Sequence, residues 1–129
     1  MKITALEIIP LTFSYKTIIQ ESFGPVGKRE DDVILRLHTD EGITGLGEAM
    51  TLGPYYSLES QGTVISLLME VIGPKLLLGA DPFNVDYIHH KMDEMVSEHS
   101  IVKTAVDFAL YDILAKSLGI PVYKLLGGA

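Results

Sequence analysis

The chain has 129 residues, seventeen acidic against ten basic, for a net charge of −7. That balance excludes the basic stripe a nucleic-acid surface needs. A 47% hydrophobic content excludes disorder, and the absence of cysteine excludes a disulfide framework. No apolar run reaches the roughly 18 residues of a membrane span, and Glu7 and Pro10 interrupt any leader-like segment. The default compartment for such a chain is the cytoplasm.

In chain order, Ile3 to Phe13 reads as a strand, with Pro10 marking an edge or a bulge. Periodicity then fails from Tyr15 to Asp32, a loop well beyond the usual length of about 4–6 residues. Its end, Lys28-Arg29-Glu30-Asp31-Asp32, reads as a solvated charge run. Gly24-Pro25-Val26-Gly27-Lys28 lacks the ending and the following helix of a phosphate loop. Ser22 has no histidine partner that would mark it as a nucleophile. From Asp32 to Thr39, Val33, Leu35 and Leu37 alternate with Ile34, Arg36 and His38. Asp40-Glu41-Gly42 turns the chain, and Ile43 to Met50 returns as the next strand of a hairpin. Gly45 and Gly47 leave one face of that strand bare, so that another backbone can approach.

A second loop, Thr51 to Tyr56, leads to a helix that Ser57 is placed to cap, with Glu59 in its first turn and Gly73-Pro74 at its end. Val64, Ile65, Leu68, Val71 and Ile72 supply its apolar stripe. Asp81-Pro82 reads as the start of the next helix, whose buried face carries Val85, Ile88, Met92 and Met95. The last helix runs from a Ser100 cap to Leu118, with Gly119 and Pro121 as its stop. Val102, Ala105, Val106, Ala109, Leu110 and Ile113 form one apolar face; Ile101, Phe108 and Ala115 form a second; Asp112 and Lys116 lie between. Strands followed by helices make this an α+β domain: a three-stranded antiparallel meander sheet, then a helical bundle. The two-sided helix and the closing Gly127-Gly128 suggest one domain, residues 1–129, that is a fragment of a longer polypeptide.

Few residues announce chemistry. Asp86, His90 and Glu94 share a helix face, but that face lies opposite the apolar stripe and so in solvent. His89 borders the apolar face as a packed flank. Glu48, at the end of the glycine-bearing strand, could contact a substrate or orient a neighbour, or equally pair with a buried cation or backbone amides. No acid, base and electrophile assemble, so neither catalytic residues nor metal ligands are assigned to this chain.

The segment Thr39-Asp40-Glu41-Gly42-Ile43-Thr44-Gly45-Leu46-Gly47-Glu48-Ala49, with Ala105 to Asp112, Lys116 to Tyr123 and Leu125-Leu126-Gly127-Gly128, resembles the N-terminal capping domain of the enolase superfamily, in its mandelate racemase/muconate lactonising enzyme group. Ser22-Phe23-Gly24 and Arg29-Glu30 are similar to the branch of o-succinylbenzoate synthases, N-succinylamino-acid racemases and dipeptide epimerases, although Ile18-Ile19 stands where a Pro-Phe pair is common. The resemblance implies a parent enzyme, a racemase, epimerase, cycloisomerase or lyase, that abstracts a proton next to a carboxylate. Its Mg²⁺ and catalytic residues would lie on a C-terminal β/α barrel of the same polypeptide, absent here. The parent would be a homo-oligomer acting on a small carboxylate substrate. By the same resemblance the substrate-contacting lid would comprise Ile19, Ser22, Phe23 and Gly24 from the first loop and Met50, Thr51 and Tyr55 from the second. Two alternatives stand beside this reading: a free-standing binding or oligomerisation module, and a parent that dehydrates acid sugars.

Overall fold

The structure, a computed structural model, describes residues 1–129 apart from Phe23, Val26 and the side chain of Pro25. Three long strands, β1 (Ile3–Ser14), β4 (Arg29–Thr39) and β5 (Thr44–Met50), form an antiparallel sheet in the order β1-β4-β5. Between β1 and β4 a two-residue ladder joins β2 (Gln20–Glu21) to β3 (Gly24–Pro25). The meander is therefore the one that the alternation indicated. One boundary differs. Strand β4 begins at Arg29, and Ser14 pairs with Arg29 at the far end of the β1–β4 ladder. The charge run is thus strand, not loop, and its acids Glu30 and Asp32 are buried.

Size complementarity fixes the core. Val33, Leu35 and Leu37 of the central strand sit beside Ala49, Gly47 and Gly45 of β5, all on the inner face. The small residues leave a trough, and helix α4 (Ser100–Leu118) lies in it with Ala105 and Ala109 against the glycines. All six residues of its first expected face are buried, as are Val85, Ile88 and Met92 of α3 (Val85–Met95). Because β5 is an edge strand, its outward amides need partners. Asp112 and Lys116 provide them: Leu46 N donates to Asp112 Oδ2 at 2.9 Å, and Lys116 Nζ donates to Thr44 O at 2.8 Å. The second expected face is only partly open, for Ala115 is buried and Phe108 is 53% exposed. Phe108 lines an apolar cleft of about 610 Å³ with Leu46, Tyr111, Val122 and Leu126, the last two from or beside α5 (Val122–Leu125).

Four helix boundaries depart from the sequence reading. Ser57 is the last residue of a short helix, α1 (Pro54–Ser57), and its hydroxyl donates to Thr51 O. The cap of α2 (Gln61–Leu67) is Ser60, whose Oγ accepts from Thr63 N while Thr63 Oγ1 accepts from Ser60 N. A hydroxyl three residues on closes the reciprocal box that Ser57 cannot form. Gly73-Pro74 does not end the helix, which continues as a π-helix over Leu68–Leu77. The wider i→i+5 turn accommodates a residue that has no amide to give. Asp81 holds a turn instead of a helix start, accepting from Phe83 N at 3.0 Å, and α3 follows from Asn84.

Ser100, finally, is not the cap of α4. His99 occupies that position in the left-handed region (φ 51°) with no side-chain cap of its own. The first free amides of α4 are met from 42 residues away: Ile101 N donates to Glu59 Oε2 at 2.7 Å and Val102 N to Glu59 Oε1 at 3.0 Å. Glu59, expected in the first turn of the helix that Ser57 was to cap, is 0% exposed. Its charge lies where a helix dipole favours an anion, at the start of α4 and not of its own helix.

Candidate functional site

The two loops meet at one end of the sheet. Glu30, buried on β4, holds both of them: Leu52 N donates to its Oε1 at 3.0 Å and the Tyr15 hydroxyl to its Oε2 at 3.4 Å. Thr51 Oγ1 donates to Asp31 O at 3.0 Å, which ties the second loop to the start of β4. Leu52 in the second loop and Leu58 just after α1 lie in the left-handed region (φ 51° and 61°), so the backbone is strained at a non-glycine residue on either side of α1. Between the loops is a cleft of about 210 Å³, lined in part by Gly27, Arg29, Thr51, Leu52, Gly53 and Tyr55.

Of the lid residues assigned by resemblance, Thr51 and Tyr55 line this cleft. Tyr55 is 81% exposed, whereas Thr51 is 2% exposed and committed to the Asp31 carbonyl. Met50 ends β5, exposed on the same sheet face as Asp32, its register partner. Ile19 is half-buried, Ser22 is exposed, and Gly24 pairs with Glu21 at the tip of the first loop. Phe23 lies outside the described residues. The Asp86/His90/Glu94 face is in solvent, where His90 Nε2 approaches Glu94 Oε1 at 3.0 Å. His89 is a flank with a partner of its own, its Nε2 lying 2.8 Å from Asp107 Oδ1.

Beneath the second loop lies a group of acids of which the sequence reading singled out only Glu48. Glu30, Asp32 and Glu48 converge on one sheet face, Glu48 diagonally across the ladder from Asp32. Asp32 is 0% exposed, and neither carboxyl oxygen meets a hydrogen-bond donor in good geometry among the described residues. Burial, with Glu48 and Glu30 adding to it, pushes Asp32 up to about 7, against a weaker opposite pull from the Thr51 amide. A protonated Asp32 can donate to Glu48. Burial and then the Glu30 carboxylate likewise push the Tyr15 phenol up. The alternation of β4 was the available signal: carried back from Ile34, it puts Asp32 and Glu30 on the face that Glu48 shares.

The pH dependence follows by linkage. The folded chain holds a proton on Asp32 up to about pH 7, while the unfolded chain releases it near the ordinary carboxylate value. Between these values the native state binds the extra proton, so stability falls as pH rises towards 7 and levels off above it. Asp32→Asn, whose amide can still donate to Glu48, should remove that slope. Relative to wild type it should stabilise the chain above about pH 7 by a few kcal/mol, on the order of 4 at most. Urea midpoints of both proteins between about pH 5 and 8 measure this; identical slopes would show that Asp32 ionises freely.

Comparison with known proteins places the whole arrangement. Residues 6–127 match the family model of the mandelate racemase/muconate lactonizing enzyme N-terminal domain. The chain is 33% identical to the N-succinyl-L-Arg/Lys racemase of Bacillus cereus, over 99% of its own length and 34% of the relative's. The crystal structure of that racemase superposes with a TM-score of 0.90, again over 99% of this chain and 34% of that one. A chloromuconate cycloisomerase of Cupriavidus pinatubonensis is 36% identical over 99% of this chain and 34% of its own. The dipeptide epimerase of Enterococcus faecalis, solved with Mg and L-Leu-L-Tyr, superposes at 0.89 with 29% identity, over 99% of this chain and 35% of that one. The chain thus spans about a third of the length of the relatives it matches. It belongs to the mandelate racemase/muconate lactonizing enzyme family of the enolase superfamily, and what it matches there is the N-terminal domain.

Proposed function

We propose that this domain is the substrate-selecting cap of an enzyme that abstracts a proton next to a carboxylate, in racemisation, epimerisation, cycloisomerisation or elimination. The observation that carries the reading is the convergence of its two long loops on one cleft, in a chain whose relatives named above are a racemase, a cycloisomerase and an epimerase. In this reading a C-terminal β/α barrel of the same polypeptide supplies the catalytic groups. The half-open face around Phe108 and Leu126 offers that barrel an apolar seat.

In this reading the parent binds Mg²⁺, with which the dipeptide epimerase was solved, and holds it on the barrel. The present residues do not fit such a site: among the described residues no three His, Cys, Asp or Glu groups converge to hold a metal ion. What this chain's residues do is exclude water and shape the substrate's surroundings. Tyr55, on the short α1 at the rim of the cleft, offers a large amphipathic surface that nothing in this domain buries. Ile19, Ser22, Phe23, Gly24 and Met50 would line the same closed lid. The buried Thr51 would contribute by holding its loop.

The test is Tyr55→Ala in the full-length parent. Relative kcat/KM among carboxylate substrates should change by about 1–3 kcal/mol, the worth of a hydrophobic pocket contact. The urea midpoint should barely move, because truncating so exposed a side chain leaves no cavity. An unchanged substrate ranking would remove Tyr55 from the lid.

A further inference from the structure

The acids beneath the second loop carry an inference that uses only this chain's residues and stands apart from the catalytic reading. Asp32 is fully buried, neither of its oxygens meets a donor in good hydrogen-bond geometry among the described residues, and Glu48 lies diagonally across the ladder from it. Glu30 stands behind them, one oxygen given to Leu52 N and the other to the Tyr15 hydroxyl. A carboxyl group taken out of water without a donor costs a few kcal/mol. Here the buried Glu30 and Asp32 share one corner with the exposed Glu48, and a single proton on Asp32 neutralises only one of the three.

The basic groups nearby are engaged elsewhere. Arg29 reaches Asp31 at 3.5 Å, and on the same sheet face Arg36 and His38 both turn to Glu7, at 2.9 and 3.2 Å. Access is open on one side, since Glu48 is exposed while Asp32 is sealed beneath it. We propose that Glu48 and Asp32 form a binding site for one organic cation, an ammonium or guanidinium group, at the base of the second loop. An organic cation suits the corner better than a metal ion, because no three acids converge in a metal-holding arrangement among the described residues. An N–H group directed at Glu48 would supply the donor that Asp32 lacks and displace its proton. Bound there, it would brace the strand end from which Thr51 and Leu52 lead into the cleft.

The cation can come from two sources: a free small molecule, or a Lys or Arg side chain of a longer polypeptide that contains this domain. Titration of the ¹⁵N-labelled chain with ethylguanidinium chloride at about pH 8, against sodium chloride at equal ionic strength, tests the site, since Asp32 is then ionised. The amides of Glu48, Thr51 and Leu52 should shift saturably. Glu48→Gln and Asp32→Asn should each weaken that binding about tenfold, the worth of one charge-assisted hydrogen bond. Repeating the titration on the full-length parent separates the sources. Loss of the response there means that a side chain of the polypeptide already fills the site, and a retained response means that the site takes a free ligand. Shifts that do not saturate, or that saturate at the same concentration in Asp32→Asn as in the wild type, overturn the proposal and leave Asp32 and Glu48 as a proton-sharing pair.

Discussion

Gly47→Ala should be among the most damaging single-methyl additions in this domain, lowering stability by at least about 3 kcal/mol and broadening or abolishing the unfolding transition. A Cβ at Gly47 would sit 1.9 Å from the carbonyl oxygen of Ala105 and 2.8 Å from its carbonyl carbon. Both are helix backbone atoms, so no side chain can swing aside. Helix α4 would have to lift away from β5 by about an ångström, and a close-packed interior resists that along the whole contact. Gly45 repeats the arrangement one helical turn on, 2.1 Å from Ala109 O, so tilting α4 about one glycine drives it into the other. Gly62→Ala is the control. Its Cβ would meet nothing nearer than Ser60 Oγ at 3.7 Å, and in α2 the change should stabilise by up to about 1 kcal/mol. Urea unfolding followed by far-ultraviolet circular dichroism compares the two; equal midpoints would mean that α4 does not rest on the glycines.

Glu59→Ala should cost about 3–5 kcal/mol, and Glu59→Gln about half as much. The alanine loses two charge-assisted hydrogen bonds, each worth about 1.5–3 kcal/mol. It also leaves the amides of Ile101 and Val102 unmet and opens a cavity where a fully buried side chain stood. Glutamine keeps the volume and one accepting oxygen, but its amide nitrogen then faces a donor. Both losses fall on the start of α4, so hydrogen exchange should quicken first at Ile101 to Ala105. Uniform loss of protection along the chain, with no excess in that turn, would mean that Glu59 acts only as buried volume.

These residues also mark how far the sequence could be read. The meander, the six buried positions of α4 and its stop at Gly119 follow from alternation, a 3.6-residue period and a left-handed cap, each decided within a few residues of chain. The bare face of β5 likewise announced that a backbone would come close, and α4 does. The candidate site was legible only in its position. The two loops were evident as aperiodic stretches, yet their contents Thr51 and Glu30 turned from surface expectations into buried anchors. A charge run contains no sign of which acids the next loop will cover.

By itself, then, the sequence determined the three long strands, the order of strands and main helices, the small-residue trough and the family, because each is written in local spacing or in a run of matched residues. The tertiary structure alone decided what the acids do. Glu59 meets α4 across 42 positions, Leu46 meets Asp112 across 66, and Leu52 meets Glu30 across 22. Pairings at such distances leave no period in a chain. A carboxylate is hydrated, a cap or a desolvated acid according to what folds over it, and only the packed structure supplies the amides, the neighbouring acids and the exclusion of water that choose among the three.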